Sequence, residues 1–396
     1  MTTLTQLIEH YCPDGVEYVK LGDVATYYRG LTYSKKNEVE SGGLKVLRAN
    51  NVSLDTQRID WNDVKAVELD KPVKRTCLLK QDDILMVANS GSKAHVGKIA
   101  YINQDFVDVA FGGFMATIRT KDPRSSRYVY HALSSDEFKA YKDRVLSSAT
   151  INNLKKSIVE EFQIPLPPRE VQDAIVERLD AFAALIESLD SEIALREKRF
   201  EYFREQLLTF DESDGVEDVE LGDVAEYSSL RVDSDDLNAD TFVGVDNLLK
   251  DRGGKTLSEH GSNTKRSTKY QLGDVLIGNI RPYLRKIWHA TNEGGCSGDV
   301  LAIHPSKVDS RFLYWTLFGD EFWHYNNSFS RGGKMPRGDK AAILAYQFPL
   351  PTVEVQREIV AKLDTMQALI DNLRQERELR KTQFEFYREK LLTFNS

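Results

Sequence analysis

The segment QIPLPPREVQDAIVERLDAFAALIESLDSEIALREKRFEYFREQLLTF, residues 163–210, returns as QFPLPTVEVQREIVAKLDTMQALIDNLRQERELRKTQFEFYREKLLTF, residues 347–394, at an offset of 184. Each copy opens on a proline-rich break, and prolines belong before or within the first turn of a helix. Beyond the first break, apolar side chains fall at Val171, Ile175, Leu179, Phe182, Ile186, Leu189, Ile193, Phe200, Phe203 and Leu207. From Leu179 onward the steps alternate three and four, the seam of a coiled coil. The second copy repeats the stripe at Val355, Ile359, Leu363, Met366, Ile370, Leu373, Phe384, Tyr387 and Leu391. Arg196 interrupts the first seam, and Arg377 and Arg380 the second. The pattern predicts two long helices, each offering its apolar stripe to the other.

Working outward, VEYVKLGDVATY (residues 16–27) returns as VEDVELGDVAEY (216–227), at an offset of 200. QDDILMVANSG (81–91) is echoed by LGDVLIGNIRP (272–282), and SRYVYHALSSDEF (126–138) by SRFLYWTLFGDEF (310–322). Four matched blocks in the same order mark an internal duplication. Ahead of each helix lie short β-rich runs, LKVLRANNV, DILMVAN and FMATIRT in the first copy, then DVLIGNI and DVLAIH in the second, with Gly, Asn and Ser at the breaks. RYVYHALSSDEFKAYKDRV reads as one helix among them. The expectation is an α+β chain: two similar β-rich globular domains, 1–167 and 213–350, and two helical spacers, 168–212 and 351–396. Helices of roughly 40 residues span about 60 Å. Antiparallel packing brings each helix's exit to the other copy's domain, so an antiparallel coiled coil with an internal pseudo-two-fold repeat is predicted.

The GD-V-A start, the IPLPP break, the E-V-Q-x-x-I-V-x-x-L-D block and the closing F-x-x-Y/F-R-E-x-L-L-T-F, all used twice, resemble the specificity subunit of type I restriction–modification enzymes. The resemblance implies that the two globular regions are target recognition domains, each reading one half of a split, asymmetric DNA site. It implies that the helices set the gap and dock two methyltransferase subunits, which recruit restriction subunits. It implies no catalytic residue and no cofactor on this chain. S-adenosylmethionine then belongs to the methyltransferase partner, and ATP and magnesium to the restriction subunit. Independently, two similar but unequal heads on a stiff spacer suit a duplex whose half-sites differ.

The charge permits this. With 53 basic and 61 acidic residues the net charge is −8, which excludes a chain-wide basic coat. Residues 1–167 carry 23 basic against 21 acidic groups, the first helical span 6 against 12, and residues 252–345 carry 14 against 8. The acid sits largely on the first helical span and on the stretch of the second head before Arg252. Candidate DNA-binding residues in the first head are Arg29, Lys35, Lys36, Arg48, Asn50, Asn51, Asn89, Ser90, Ser92, Lys93 and His95. In the second they are Lys265, Arg266, Lys269, Asn279, Arg281, Arg285, Arg331, Lys334 and Arg337. Arg reads the guanine edge and Asn the adenine edge, while Lys and Ser hold phosphates. Such loops are common as solvated turns, so clusters carry the expectation better than single residues. Tyr202 and Phe386 fall off the helical seam, where aromatics favour a partner surface.

Enzyme motifs fail on spacing. GSKAHVGKI (91–99) has five residues between its glycines and no Ser/Thr after the lysine, unlike a phosphate-binding loop. FGGF (111–114) lacks the third glycine of a dinucleotide fingerprint. NIRPY (279–283) resembles the N-P-P-Y of amino-methyltransferases but carries an inserted Ile280 and Arg281 in place of the first proline. The seven histidines form no metal spacing, and Cys12, Cys77 and Cys296 suit a reducing compartment. With 41% hydrophobic and 29% charged residues the chain is neither disordered nor membrane-like, and it has no signal-peptide pattern. A cytoplasmic, non-catalytic DNA-recognition subunit is the first expectation. A self-contained DNA methyltransferase and a coiled-coil protein scaffold are the alternatives.

Overall fold

A computed structural model of the chain describes residues 4–147, 152–211, 215–262 and 264–394. It divides into two units, Met1–Leu189 with Glu376–Ser396, and Asp190–Gln375.

Unit one opens on α1 (Leu4–Tyr11). The LGDV motif then folds as β1 (Tyr18–Lys20), a single turn α2 (Leu21–Val24) and β2 (Ala25–Arg29). β3 (Glu38–Val39), β4 (Leu44–Leu47), β5 (Lys65–Val67) and β6 (Ile84–Val87) follow, then β7 (Ile99–Tyr101), β8 (Val109–Phe111) and β9 (Met115–Thr120). Helices α3 (Ser126–Ser134), α4 (Asp136–Ser147) and α5 (Lys156–Glu160) lead through β10 (Gln163–Pro165) into α6 (Arg169–Leu208). One sheet has the order β2-β9-β6-β7 and the other β3-β5-β4-β8. All pairs in these two sheets are antiparallel except β4 with β8. β6 explains the apolar run in DILMVAN. Successive strand side chains point to opposite faces, and here both faces are covered. Ile84 and Met86 enter the core beneath α3–α5 with Leu21 and Phe138. Leu85 and Val87 enter the core between the sheets with Leu47 and Phe111.

Unit two runs β11 (Glu217–Glu220), α7 (Leu221–Val224), β12 (Ala225–Tyr227), β13 (Arg231–Asp233), β14 (Phe242–Val243) and β15 (Arg266–Tyr270). β16 (Val275–Gly278), β17 (Ile287–His289), β18 (Gly294–Cys296) and β19 (Val300–Pro305) complete its sheets. Then come α8 (Ser310–Phe318), α9 (Asp320–Ser328), α10 (Lys340–Leu344), β20 (Gln347–Leu350) and α11 (Val353–Leu392). The sheet β12-β19-β16-β17 repeats β2-β9-β6-β7 strand for strand. The other sheet, β13-β15-β18-β14, keeps one parallel pair, between β14 and β18. The matched sequence blocks supply β2 and β6, and β12 and β16, of the common sheet, while the variable middle builds the divergent one. The stretch expected as one helix is two, α3 and α4. Ser135 breaks it with extended backbone, its Oγ accepting from the Phe138 N–H (3.3 Å). Gly319 makes the same break between α8 and α9.

Within each unit the long helices run antiparallel. In unit one the start of α6 (Val171, Ile175, Leu179) shares a core with Leu392 and Phe394 at the end of the chain. Further along, Phe182 stacks on Tyr387, ring centroids 5.3 Å apart. In unit two Phe200 of α6 lies in one core with Ile359, Leu363 and Ile370 of α11, and Arg374 bonds Glu197 at 2.6 Å. Each unit is thus a head, the first half of its own copy's helix and the last half of the other copy's. The closing motif F-x-x-Y/F-R-E-x-L-L-T-F serves the other copy's head: Phe200 meets Trp315 and Phe318 at 5.3 and 6.2 Å, and Phe384 meets His131 at 6.3 Å.

The seam arginines do not spoil this packing. Arg196 and Arg380 turn to Glu192 and Glu376 one helical turn back (2.6 and 3.3 Å). Arg377 leaves the seam for Asp55 of the first head (2.9 Å). Hydrogen bonds from Lys381 and Arg377 hold the Asp55 carboxyl below its ordinary pKa. Phe203, expected in the seam, is 46% exposed, because the inward position at that turn belongs to the buried Arg204. No described helix is long and apolar enough to cross a membrane.

Candidate nucleic-acid interface

In unit one, β2, β4, β6 and β8 end where β7 and β9 begin. The registers require it: Arg29 lies opposite Ala116, Met86 opposite Ile99, Val87 opposite Met115, and Leu47 beside Phe111. The loops leaving this end carry most of the candidates. Arg29 Nε donates to the Gly113 carbonyl (3.1 Å), and the Asn89 N–H donates to the Phe114 carbonyl (3.0 Å). Arg48 and Asn50 both donate to the Asp63 carboxylate (2.9 and 3.0 Å). Ser92, Lys93 and His95 are exposed around a single 3-10 turn, and Ser90 beside them is half-buried. The structure brings these eight residues to one sheet end.

Three candidates fall elsewhere. Asn51 is 1% exposed; it accepts from the Arg48 N–H (2.9 Å) and donates to the carbonyls of Asp60 and Asp63 (3.0 Å each). Its amide shapes the loop and is not offered outward. Lys35 and Lys36 are on the surface, but their turn is tied by Asn37 to the Glu68 carbonyl (3.1 Å), beyond the opposite end of β4.

Unit two repeats the arrangement with other side chains. The Asn279 N–H donates to the Asp299 carbonyl (2.8 Å), and the Arg281 N–H to the Pro336 carbonyl (2.7 Å). Arg331 and Arg337 exchange two backbone hydrogen bonds (2.9 and 2.8 Å), closing the loop that crosses this sheet end. Arg281 and Lys334 stand exposed on it beside Arg331 and Arg337, and Arg337 pairs with Asp299 at 3.1 Å. Arg281 has φ +53°, a left-handed conformation that costs a side-chain-bearing residue about 1–3 kcal/mol and persists only where surrounding bonds impose it. Lys265 and Arg266, at the start of β15, are exposed at the same end.

The remaining candidates lie away from the exposed face. The Asn279 side chain is buried, packed against Gly338, so only its backbone serves the loop. Lys269 is half-buried further along β15 and pairs with Glu293 (3.1 Å). Arg285 turns toward the helices, bonding Asp251 (2.7 Å) and Asp320 (3.1 Å). There the buried Arg252 also bonds Asp320 and reaches Glu201 of α6 (2.9 Å). Arg285 belongs to the clamp between head and helix.

Sequence reasoning missed the scaffold beneath these loops. Lys98 Nζ donates to the carbonyls of Ala49 and Val52, and Lys286 Nζ to that of Val245. Burial pushes both ammonium groups below the usual lysine pKa. Asn247 does for the second head what Asn51 does for the first, accepting from the Gly244 N–H (2.6 Å) and donating to the Thr256 carbonyl (2.9 Å). The repeat carried the signal, because GKI (97–99) and RKI (285–287) stand at corresponding places beside the matched strands. It also missed Phe114, which is 65% exposed in the middle of the first face. FGGF does not reveal that Phe111 points inward and Phe114 outward.

The E-V-Q…L-D block fixes each helix to its head. Gln172 and Gln356 donate to the carbonyls of Pro167 and Pro351 (2.8 Å each). Asp180 accepts from Arg127 and is bonded to His131 (2.9 and 2.8 Å), and Asp364 accepts from Arg311 and Trp315 (2.8 Å each). Burial opposes ionisation of Asp180, yet its bonds to His131 and Arg127 hold the carboxyl below the ordinary range. On the outer surface of the helices, Tyr202 and Phe386 occupy equivalent positions and are 58% and 61% exposed.

Comparison with known proteins agrees with this architecture. The model of the type I restriction modification DNA specificity domain matches residues 13–195 and again 213–379. The StySPI specificity subunit of Salmonella potsdam, a type I restriction enzyme component, is 25% identical over 404 residues, spanning 91% of this chain and 84% of the relative. The EcoKI specificity subunit of Escherichia coli K12 is 29% identical over 199 residues, 50% of this chain and 42% of the relative. Among solved structures, a type I restriction-modification S subunit from M. genitalium superposes with a TM-score of 0.57 at 15% identity. That match covers 97% of this chain and 98% of the other, and shows a shared fold.

Proposed function

The chain belongs to the type I restriction–modification DNA specificity family, and from that premise we propose that its two heads read the two halves of one split DNA site. One observation carries the reading: a common backbone scaffold presents different side chains at corresponding loop positions. Arg48 and Asn50 in the first head correspond to Gly244 and Asp246 in the second, each pair standing just before the buried Asn51 or Asn247. Two faces built alike but equipped differently suit an asymmetric target.

In this reading Arg29, Lys93, Lys265, Arg266, Arg331 and Lys334 neutralise phosphates, while Arg48, Asn50, Arg281 and Arg337 approach base edges. The helices set the gap between half-sites. Tyr202 and Phe386, being equivalent, would each anchor one methyltransferase subunit, and restriction subunits would join through these. The methylation chemistry, with S-adenosylmethionine, then lies on the partner, and ATP and magnesium are used by the restriction subunit. The chain itself is non-catalytic and works in the cytoplasm.

A gel-shift titration across salt, with and without the co-expressed methyltransferase subunit, tests this. The complex should bind duplex DNA with affinity falling about 10³–10⁵-fold between roughly 50 and 200 mM salt, as for about six to ten phosphate contacts. Methylation by the purified chain alone would favour a self-contained enzyme. Absence of salt-dependent binding even with the partner would leave only a protein scaffold.

A further inference from the structure

At one place on the loop face the two heads share a backbone arrangement and differ completely in side-chain chemistry. VAFGGFM (109–115) in the first head corresponds to GGCSGDV (294–300) in the second, so Phe114 stands where Asp299 stands. Both residues precede a strand of the common sheet, β9 or β19. Both carbonyls accept from the loop after the central strand: Phe114 from the N–H groups of Ala88 (2.9 Å) and Asn89 (3.0 Å), Asp299 from that of Asn279 (2.8 Å). Two residues earlier, the chain is held by the neighbouring parallel strand, Gly112 to the Leu47 carbonyl (2.8 Å) and Ser297 to the Val243 carbonyl (2.9 Å).

The first turn is braced further. The Met115 N–H donates to the Gly112 carbonyl (2.8 Å), and Arg29 Nε holds Gly113. Gly30 lies so close that a Cβ there would collide with the Gly112 carbonyl oxygen. A stiff turn therefore holds a largely exposed phenyl ring on the face that also carries Arg29, Asn89 and Lys93. A single exposed apolar side chain is ordinary on a protein surface, but an aromatic preorganised inside a polar face has the character of a binding anchor. In the second head the same place carries an ion pair, Arg337 Nε and Nη2 both lying 3.1 Å from Asp299 Oδ1. The Nε hydrogen bond and the ion contact at Nη2 turn the guanidinium toward Asp299.

We propose that residues 114 and 299 are the matched specificity-determining position of the two heads. Phe114 packs on the 5-methyl group of a thymine, and Asp299 orients Arg337 toward the edge of a guanine. The proposal rests on the DNA-reading function above and assigns the chemistry of one base pair in each half-site. Rigid presentation sharpens discrimination, since little ordering is left to be done on binding.

The test maps the methylated sites of chromosomal DNA in cells that express the complete complex. Phe114→Ala should relax one base pair in one half-site, with discrimination there falling about 5- to 150-fold, and Phe114→Leu should do so less. Arg337→Lys, which keeps the charge but loses the fork, should relax one position in the other half. Asp299→Asn should act at that same position more weakly. The untouched half-site in each variant reports that the protein is folded and assembled. If Phe114→Ala leaves both halves unchanged, or degrades both alike, the proposal is overturned. If the wild-type complex marks no two-part site at all, the function beneath it has failed instead.

Discussion

Lys98 and Lys286 show how much a single residue's role depends on its surroundings. A lysine at the edge of a polar loop suggests a phosphate contact, yet both ammonium groups are engaged by backbone carbonyls beneath the recognition loops. A buried carbonyl left unpaired costs about 1–3 kcal/mol, so these lysines hold the loops in shape and leave phosphate contact to exposed neighbours. His289 is likewise governed by what surrounds it. Burial first, then the charge of Arg311, pushes its imidazole down to about 4, although Asp364 and Asp309 oppose the shift. An unfolded histidine titrates near about 6.5. Because the folded value is depressed, the stability this neutral ring permits is complete above about pH 6.5 and is lost as pH falls toward about 4. The melting temperature should drop between about pH 7 and about pH 5, and His289→Gln should flatten that part of the profile. An unchanged profile in the variant would show that the ring charges freely in the fold.

Among the elements, the long helices do two jobs. Their first halves carry the aspartates that grip their own heads, and their second halves carry the aromatic and arginine residues that enter the other copy's. Asp180 and Asp364 stand at equivalent positions but use different donors, His131 with Arg127 in one unit and Trp315 with Arg311 in the other. Removing either acceptor leaves buried donors unpaired. Asp180→Ala and Asp364→Ala should therefore each destabilise the chain by about 1–3 kcal/mol, read by urea unfolding. Asp364→Asn, which keeps an acceptor oxygen, should lose less. A neutral outcome for both alanine variants would mean that the heads are held by apolar packing alone.

At the scale of the whole molecule, α6 and α11 are continuous through the boundary at which the two units part. Insertion of roughly four residues at that boundary in both helices makes close to one full turn, so the apolar seam keeps its register. The added length is about 6 Å, near two base-pair steps of about 3.4 Å. Such a variant should recognise the same two half-sites with a gap longer by about two base pairs, measured from its methylated sites. An unaltered gap would show that the helices do not set it. Exchange of residues 1–167 for a relative's head should change one half-site and leave the other intact.

Periodicity and repetition were enough to read the duplication, the two 40-residue helices, their antiparallel pairing and the β-rich heads, because those features follow from which residues must be buried and how often they recur. The break at Ser135 was not legible, since one serine in a helical pattern does not announce that its hydroxyl will cap the next helix. Nor were the fates of the loop candidates. Asn50 and Asn51 are adjacent and chemically identical, yet one is exposed and the other buried against three backbone groups. Arg285 and Arg337 lie in similar loops, yet one turns to the helices and the other to the open sheet end. What had to lie inside was written in the order of residues, through the hydrophobic effect and the period of each element. Where the polar side chains went was settled only when the chain had folded, because hydrogen bonds are directional and many of their partners lie tens of residues away along the chain.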